Sequence, residues 1–256
     1  MTCLPFPDVK TNPEIDLFCL PYAGGSSAVF SKWDAMFPDW ISVRPVELPG
    51  RGSRLNSSLM TCPTELSIQL ADELAERIER PWAIFGHSLG AALGYRIAHI
   101  IESKHPLLGF FPSGRHAPTC ADPAPLRAHL SDEALIEEVR SLNGAPPELL
   151  ENREFMNMVL PIIRADFELS ERGSLLPPLG SIKCGMQVFG STDDPEVPIA
   201  SLQNWKDVAG ADFSQKILPG DHFFLHHESQ CLSMRDSICD LLSKALAESK
   251  STVSAI

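Results

Sequence analysis

The run Gly86-His87-Ser88-Leu89-Gly90 holds the residue types that acyl chemistry needs. A hydroxyl attacks a carbonyl only when it stands clear of its own backbone. A Gly-x-Ser-x-Gly turn between a strand and a helix places it so, at the cost of backbone strain. Here the apolar run Trp82–Phe85 leads straight in, and a helical pattern from Leu89 to Glu102 leads straight out. The helix N-terminus directs unpaired N–H groups at the place where negative charge develops. The two glycines are expected where side chains would collide with neighbouring backbone. The five-residue pattern is weak alone; the strand before it and the helix after it make it informative.

A nucleophilic serine needs a base and a group that orients the base. On sheets of this kind the chain order is serine, acid, histidine, with the acid after a late strand and the histidine after the last. Gly185–Gly190 reads as a strand, and Asp193-Asp194 lies in the turn beyond it. Phe213–Leu218 reads as the next strand, and Pro219-Gly220-Asp221-His222 follows. His222 is therefore the expected base. Two adjacent carboxylates cannot both face one imidazole; Asp194, directly before Pro195-Glu196-Val197-Pro198, is favoured over Asp193. His87 lies inside the turn and is expected to point away from Ser88. His99, His105, His116 and His129 precede the acid, and His226 and His227 are expected on the final helix. Surface positions are expected for all of these. The oxyanion needs two backbone donors. One is the Leu89 amide. The other is assigned to Ala23, in the loop Leu20-Pro21-Tyr22-Ala23-Gly24-Gly25 after an early strand.

The elements that must position these residues alternate. Ile15–Leu20, Ile41–Leu48, Trp82–Phe85, Leu107–Phe111, Met186–Phe189 and Phe213–Leu218 are short apolar runs without polar alternation, as in strands covered on both faces. Helical patterns fall between them: one capped by Thr64 with Leu66, Leu70, Leu74 and Ile78 on a face, one from Leu89 to Glu102, and a closing one from Leu232 to Leu246. Strand and helix in alternation predict an α/β fold with a mostly parallel sheet flanked by helices. From Pro118 to about Leu176 no strand is predicted. Ser131 followed by Asp132 and Glu133 starts a helix, Asn143-Gly144 stops it, and Pro146-Pro147 opens another segment. This long helical insertion is expected to be a lid over the site.

Composition sets the bounds. The chain has 256 residues, a formal net charge of -12, and 44% hydrophobic against 21% charged residues, an ordinary globular balance. The acidic excess excludes broad nucleic-acid binding and polybasic membrane binding. No run is apolar enough to cross a bilayer, and no secretion signal is read at the N-terminus, so a cytoplasmic location is expected. Seven scattered cysteines without a Cys-x-x-Cys pair argue against a disulfide framework or a zinc ribbon. Cys19 and Cys184 are expected in the core.

Together these residues resemble one family. The blocks are Leu20-Pro-Tyr-Ala-Gly-Gly25, Glu47-Leu-Pro-Gly-Arg-Gly-Ser-Arg54, Phe85-Gly-His-Ser-Leu-Gly90, Leu160-Pro-Ile-Ile-Arg-Ala-Asp166, Asp193-Asp194 and Gly220-Asp-His-Phe-Phe224. The chain, from about residue 15 to 246, is similar to the type II (editing) thioesterases of nonribosomal peptide and polyketide synthesis. Tyr22 stands where phenylalanine is also common. The resemblance implies a single α/β-hydrolase domain over residues 1–256 with a lid at about 115–176. It implies hydrolysis of acyl and aminoacyl thioesters on the phosphopantetheine arm of carrier proteins, with Ser88, Asp194 and His222 as catalytic residues and Ala23 and Leu89 as oxyanion donors. No metal or organic cofactor is required, and a monomer is expected. Because carrier proteins are acidic too, docking is expected to rely on a local basic or apolar patch, with Arg44, Arg51 and Arg54 as candidates and the lid surface as another. Competing readings are a general carboxylester hydrolase, a non-catalytic carrier-binding protein and an acyltransferase.

Overall fold

The six apolar runs pair as strands in the computed structural model, which describes residues 2–120 and 125–253. They are β1 (Ile15–Leu20), β2 (Ile41–Pro45), β3 (Trp82–His87), β4 (Leu107–Ser113), β5 (Gly185–Ser191) and β6 (Phe213–Leu218). Every neighbouring pair is parallel, in the order β2-β1-β3-β4-β5-β6. The helices are α1 (Trp33–Met36), α2 (Pro63–Ala75), α3 (Leu89–Ile101), α4 (Asp132–Ser141), α5 (Pro147–Leu150), α6 (Arg153–Ser174), α7 (Ile199–Leu202) and α8 (Glu228–Val253).

The unbroken apolar runs have a simple cause. Side chains alternate between two faces, and helices cover both. Phe18, Leu20, Ile84, Phe110 and Met186 pack with α2 and α3 on one side. Leu17, Cys19, Phe85 and Phe111 pack on the other side with Trp33 of α1 and with Met234, Ile238 and Leu242 of α8. The outer strand β6 is more polar, with Ser214, Gln215 and Lys216 along it, a composition that suits an edge.

Several boundaries differ from the sequence reading. β3, β4 and β5 run on past their apolar cores through Gly86, His87, Ser113, Gly190 and Ser191. The ladder continues where small and polar residues enter the functional edge. β2 stops at Pro45, short of Leu48, with Val46 N–H donating a last bond to Cys19 O at 2.9 Å. Thr64 is not a cap: Pro63 takes the first helical turn of α2, where a missing N–H costs nothing, and Cys62 precedes it without a side-chain cap. α8 begins at Glu228, so His226 and His227 lie before the final helix rather than on it. All seven cysteines are free thiols, with Cys19 and Cys184 buried.

Among the described residues, no strand forms between Ser113 and Gly185. That stretch holds α4, α5 and α6, which share a small apolar cluster of Leu135, Val139, Leu150, Met156 and Leu160. Ser131 caps α4 by accepting the Ala134 N–H at 3.2 Å, with Asp132 and Glu133 in the positive first turn. Asn143 takes a left-handed φ of 57° where α4 ends. Residues 121–124, inside the predicted insertion, lie outside the described residues.

Phe110 is fully buried at the centre of this sheet and meets Trp205 edge to face, with centroids 5.6 Å apart. Phe110→Ala is expected to cost about 3–5 kcal/mol through lost burial and a residual cavity. A shift in urea midpoint at unchanged slope is the measurement.

Candidate active site

Ser88 occupies the sharp turn between β3 and α3. Its φ of 52° and ψ of -114° lie in a region that side-chain-bearing residues avoid. Both flanking glycines are required by contact. A Cβ at Gly86 would overlap the Gly90 carbonyl, and one at Gly90 would overlap the Leu20 carbonyl. Ser88 N–H donates to Ser113 O at 2.8 Å, which ties the turn to the end of β4.

The loops after β5 and β6 reach the same edge. His222 Nδ1–H donates to Asp194 Oδ2 at 2.8 Å. A carboxylate only accepts, so the proton sits on Nδ1 and leaves Nε2 as the acceptor. The Asp194 side chain is fully buried. Its other oxygen accepts the backbone N–H of Glu196 at 2.8 Å and of Val197 at 3.2 Å, which fixes the carboxylate plane. Asp193 turns elsewhere and accepts the Thr192 hydroxyl at 2.8 Å. The structure thus brings Asp194, and not Asp193, to His222.

His87 is not the surface residue expected from sequence; it is fully buried. Its Nε2–H donates to the backbone carbonyl of His222 at 2.9 Å, and its Nδ1 accepts the Ser113 hydroxyl at 2.9 Å. Burial, reinforced by the neighbouring His222 imidazole, holds its pKa well below the ordinary imidazole value. A neutral ring here pins the backbone that carries His222. Ser191 adds a second pin, donating its hydroxyl to Asp221 O at 2.7 Å. His116 is also buried, against the surface expectation. His226 meets the Tyr22 hydroxyl at 2.8 Å, and burial pushes Tyr22 up to about 12.

Ala23 lines a cavity with Ser88, and Leu89 follows Ser88 directly as the first residue of α3. Neither amide is given to a backbone acceptor among the described residues. Leu89 opens α3, where the first N–H groups have no intrahelical partner. The Ala23 loop is braced from beneath. Glu47 accepts the Ser27 N–H at 3.0 Å and the Ser27 hydroxyl at 2.8 Å, and Asp166 of α6 accepts the Gly24 N–H at 2.7 Å.

The candidate docking arginines are corrected by the structure. Arg51 and Arg54 are buried, paired with Asp166 and with Glu73. Arg44 is mostly covered and pairs with Asp8 and Asp16 at 3.5 and 3.4 Å. None offers a free cation to a partner. Their side chains point inward because each meets a carboxylate on a neighbouring element.

Ser88, Ala23 and His222 line a cavity of about 550 Å³. Its far walls come from the insertion, with Val139, Leu150, Phe155, Met156, Val159 and Ile163 among the lining side chains. A largely apolar, partly open space of this size suits an acyl group. Sequence reasoning missed the roles of His87, Glu47, Arg51 and Asp166. Arg51, Glu47 and Asp166 stood in recognisable blocks, but their partners lie far away along the chain.

His87 generates a test of sign. Its folded pKa is depressed, so below about pH 6.5 the unfolded chain binds a proton that the folded one does not. The stability contribution is complete above that pH and is lost as pH falls, by about 1.4 kcal/mol per pH unit. Urea midpoints measured at several pH values should show a shallower acid decline in His87→Gln than in the wild-type chain.

Comparison with known proteins gives the family. The thioesterase domain family matches residues 15–246. The linear gramicidin dehydrogenase LgrE of Brevibacillus parabrevis is 36% identical over 233 residues, covering 88% of each chain. The gramicidin S biosynthesis protein GrsT of Aneurinibacillus migulanus is 35% identical over 243 residues, covering 94% of this chain and 93% of its own. Among solved structures, YbtT, a type II thioesterase from the yersiniabactin NRPS/PKS biosynthetic pathway, superposes with a TM-score of 0.80 at 28% identity, covering 94% of this chain and 97% of its own. The six-stranded parallel sheet, the serine turn and the family match lead to one conclusion: the chain belongs to the thioesterase domain family, hydrolases that act on thioester bonds.

Proposed function

We propose that this thioesterase releases acyl and aminoacyl groups from the phosphopantetheine arm of carrier proteins, clearing misprimed or stalled nonribosomal peptide and polyketide assembly lines. One observation carries the mechanism. Ser88, at the strained head of α3, and His222, oriented by buried Asp194, line the same largely apolar cavity. The biosynthetic setting rests on similarity to GrsT and YbtT. The dehydrogenase name of LgrE is not carried over, since the loop after β1, Pro21-Tyr22-Ala23-Gly24-Gly25-Ser26, lacks the Gly-x-Gly-x-x-Gly spacing of a dinucleotide turn.

The chemistry follows from the placement. Ser88 Oγ attacks the thioester carbonyl carbon while His222 Nε2 takes its proton. Asp194 stays ionised, holding the ring and stabilising the imidazolium. The oxyanion of the tetrahedral intermediate accepts the Ala23 and Leu89 amides. Collapse breaks the carbon–sulfur bond, and His222 returns its proton to the departing thiolate. Water then attacks the Ser88 ester, His222 takes its proton, and the free acid leaves as that proton passes to Ser88 Oγ. Helices α4–α6 act as a lid that excludes bulk water and holds the acyl chain. The protein works as a cytoplasmic monomer.

Acid release from acetyl- and aminoacyl-loaded carrier proteins is the test. Ser88→Ala is expected to lower kcat by at least about 10³-fold, with loss of fluorophosphonate labelling. Faster turnover of simple p-nitrophenyl esters than of carrier-bound thioesters would move the function to a general carboxylester hydrolase.

A further inference from the structure

The Glu47–Arg54 and Leu160–Asp166 blocks contain no triad residue, yet they meet under the oxyanion-side loop. Asp166 is fully buried on α6, and Arg51 is 5% exposed. The two form a forked pair: Arg51 Nη2 donates to Asp166 Oδ1 at 2.8 Å, and Nη1 donates to Oδ2. Arg51 Nη1 also donates to Gly25 O at 3.3 Å, while Nε and Nη2 donate to Pro49 O at 3.3 and 3.2 Å. All five guanidinium N–H groups are thereby engaged, which a lysine could not reproduce. Asp166 Oδ2 accepts the Gly24 N–H at 2.7 Å.

Tyr22–Gly25 is a tight turn. Gly25 N–H donates to Tyr22 O at 2.9 Å, and Gly24 at its third position has a φ of 79°. That sign marks a type II turn, whose central peptide is flipped relative to type I. The Gly24 N–H belongs to that central peptide, so Asp166 holds the flip. The Tyr22 carbonyl and the Ala23 N–H share the preceding planar, trans peptide and point in opposite directions. Fixing the turn therefore fixes where the Ala23 N–H points. Ile163, one turn before Asp166 on the same helix, lies so close to Gly24 that an added Cβ would sit 3.0 Å from its Cγ1. α6 thus rests directly on the turn.

A buried ion pair is poor evidence for stability, because apolar replacements are often as stable. We propose that Arg51 and Asp166 are positioning residues: they hold the 22–25 turn so that the Ala23 amide faces the oxyanion, and they make that geometry depend on α6 being seated over the site. The inference rests on Ala23 as an oxyanion donor in the proposed thioesterase reaction. If α6 lifts, the acceptor for Gly24 leaves with it, and the donor loses its aim. Closure over a bound acyl group and assembly of the oxyanion site become one event.

The test separates acceptor from stability. The double variant Arg51→Met/Asp166→Leu removes the buried charges together and should fold with a Tm near that of the wild type, yet lose the Gly24 acceptor. Its kcat for thioester hydrolysis is expected to fall about 10–100-fold, with KM changed by less than about threefold. Asp166→Asn keeps an acceptor oxygen but leaves Arg51 unpaired. It should lose more Tm than the double variant and clearly less kcat. If kcat instead follows Tm across the set, or the folded double variant keeps wild-type kcat, the proposal is overturned. Should the double variant fail to fold, the same reading comes from Asp166→Asn against Asp166→Ala, assayed well below both Tm values: equal kcat in the two overturns the proposal. Ser88→Ala is run alongside. Hydrolysis that survives it would overturn the catalytic reading itself, a result distinct from failure of the Arg51–Asp166 role.

Discussion

The close approach of α3 to the ends of β1 and β3 is the constraint on which the site depends. Gly90 lies against the carbonyls of Leu20 and Pro21, and Gly86 lies against Gly90, with no room for a Cβ at either. With backbone that close, the chain must turn sharply at Ser88, and the residue takes a positive φ that costs about 1–3 kcal/mol. The same approach brings the Ala23 loop, which leaves the end of β1, beside the first free amide of α3. In the proposed reaction, nucleophile position and donor position are therefore consequences of one packing contact. The strain is held by a ladder on both sides of β3 and by the Ser88–Ser113 bond to β4.

Buried polar groups around that contact serve geometry. Glu47, Arg51 and Asp166 brace one loop, while His87 and Ser191 brace the backbone at Asp221 and His222. Each acts on a main-chain amide or carbonyl, which side-chain packing alone would hold loosely. This use of cations also bears on the acidic surface. Arg51, Arg54 and Arg127 are buried against carboxylates, so these three cations do not offset the acidic surface. The formal net charge of the chain is -12. Long-range attraction to an acidic partner is not expected from such a surface.

The sheet and the triad residues were legible because their signals are local. Six apolar runs marked six strands, and the serine turn, the Asp193-Asp194 pair and His222 each followed a strand end. Boundaries were less legible. Apolarity marks where a strand is covered, not where its ladder ends, so Gly86, His87 and Ser191 were left out. Thr64 carried the right side chain for a cap, but Pro63 had the stronger claim to the helix start. The largest misreading concerned Arg51 and Arg54. A charged residue in a glycine-rich loop reads as solvated unless its partner is known, and Asp166 lies 115 positions away. Burial of His87 was hidden for the same reason, since its acceptor belongs to His222.

The neutral state of His87 has a consequence for the proposed base, His222, beside it. The two imidazole rings have centroids 5.1 Å apart. In the proposed mechanism His222 becomes a cation when it takes the serine proton. A second cation at that distance would oppose it by about 3 kcal/mol at an effective dielectric near 20. Burial keeps His87 uncharged, and its Nε2–H is committed to the His222 carbonyl. The neighbour thus supplies a rigid donor to the backbone without adding repulsion. Asp194, desolvated and locked by two amides, supplies the only full charge in hydrogen-bond contact with the His222 ring among the described residues, and its sign favours the proton transfer. One buried imidazole held neutral and one oriented by a carboxylate suit the proposed cycle, in which the base charges and discharges twice.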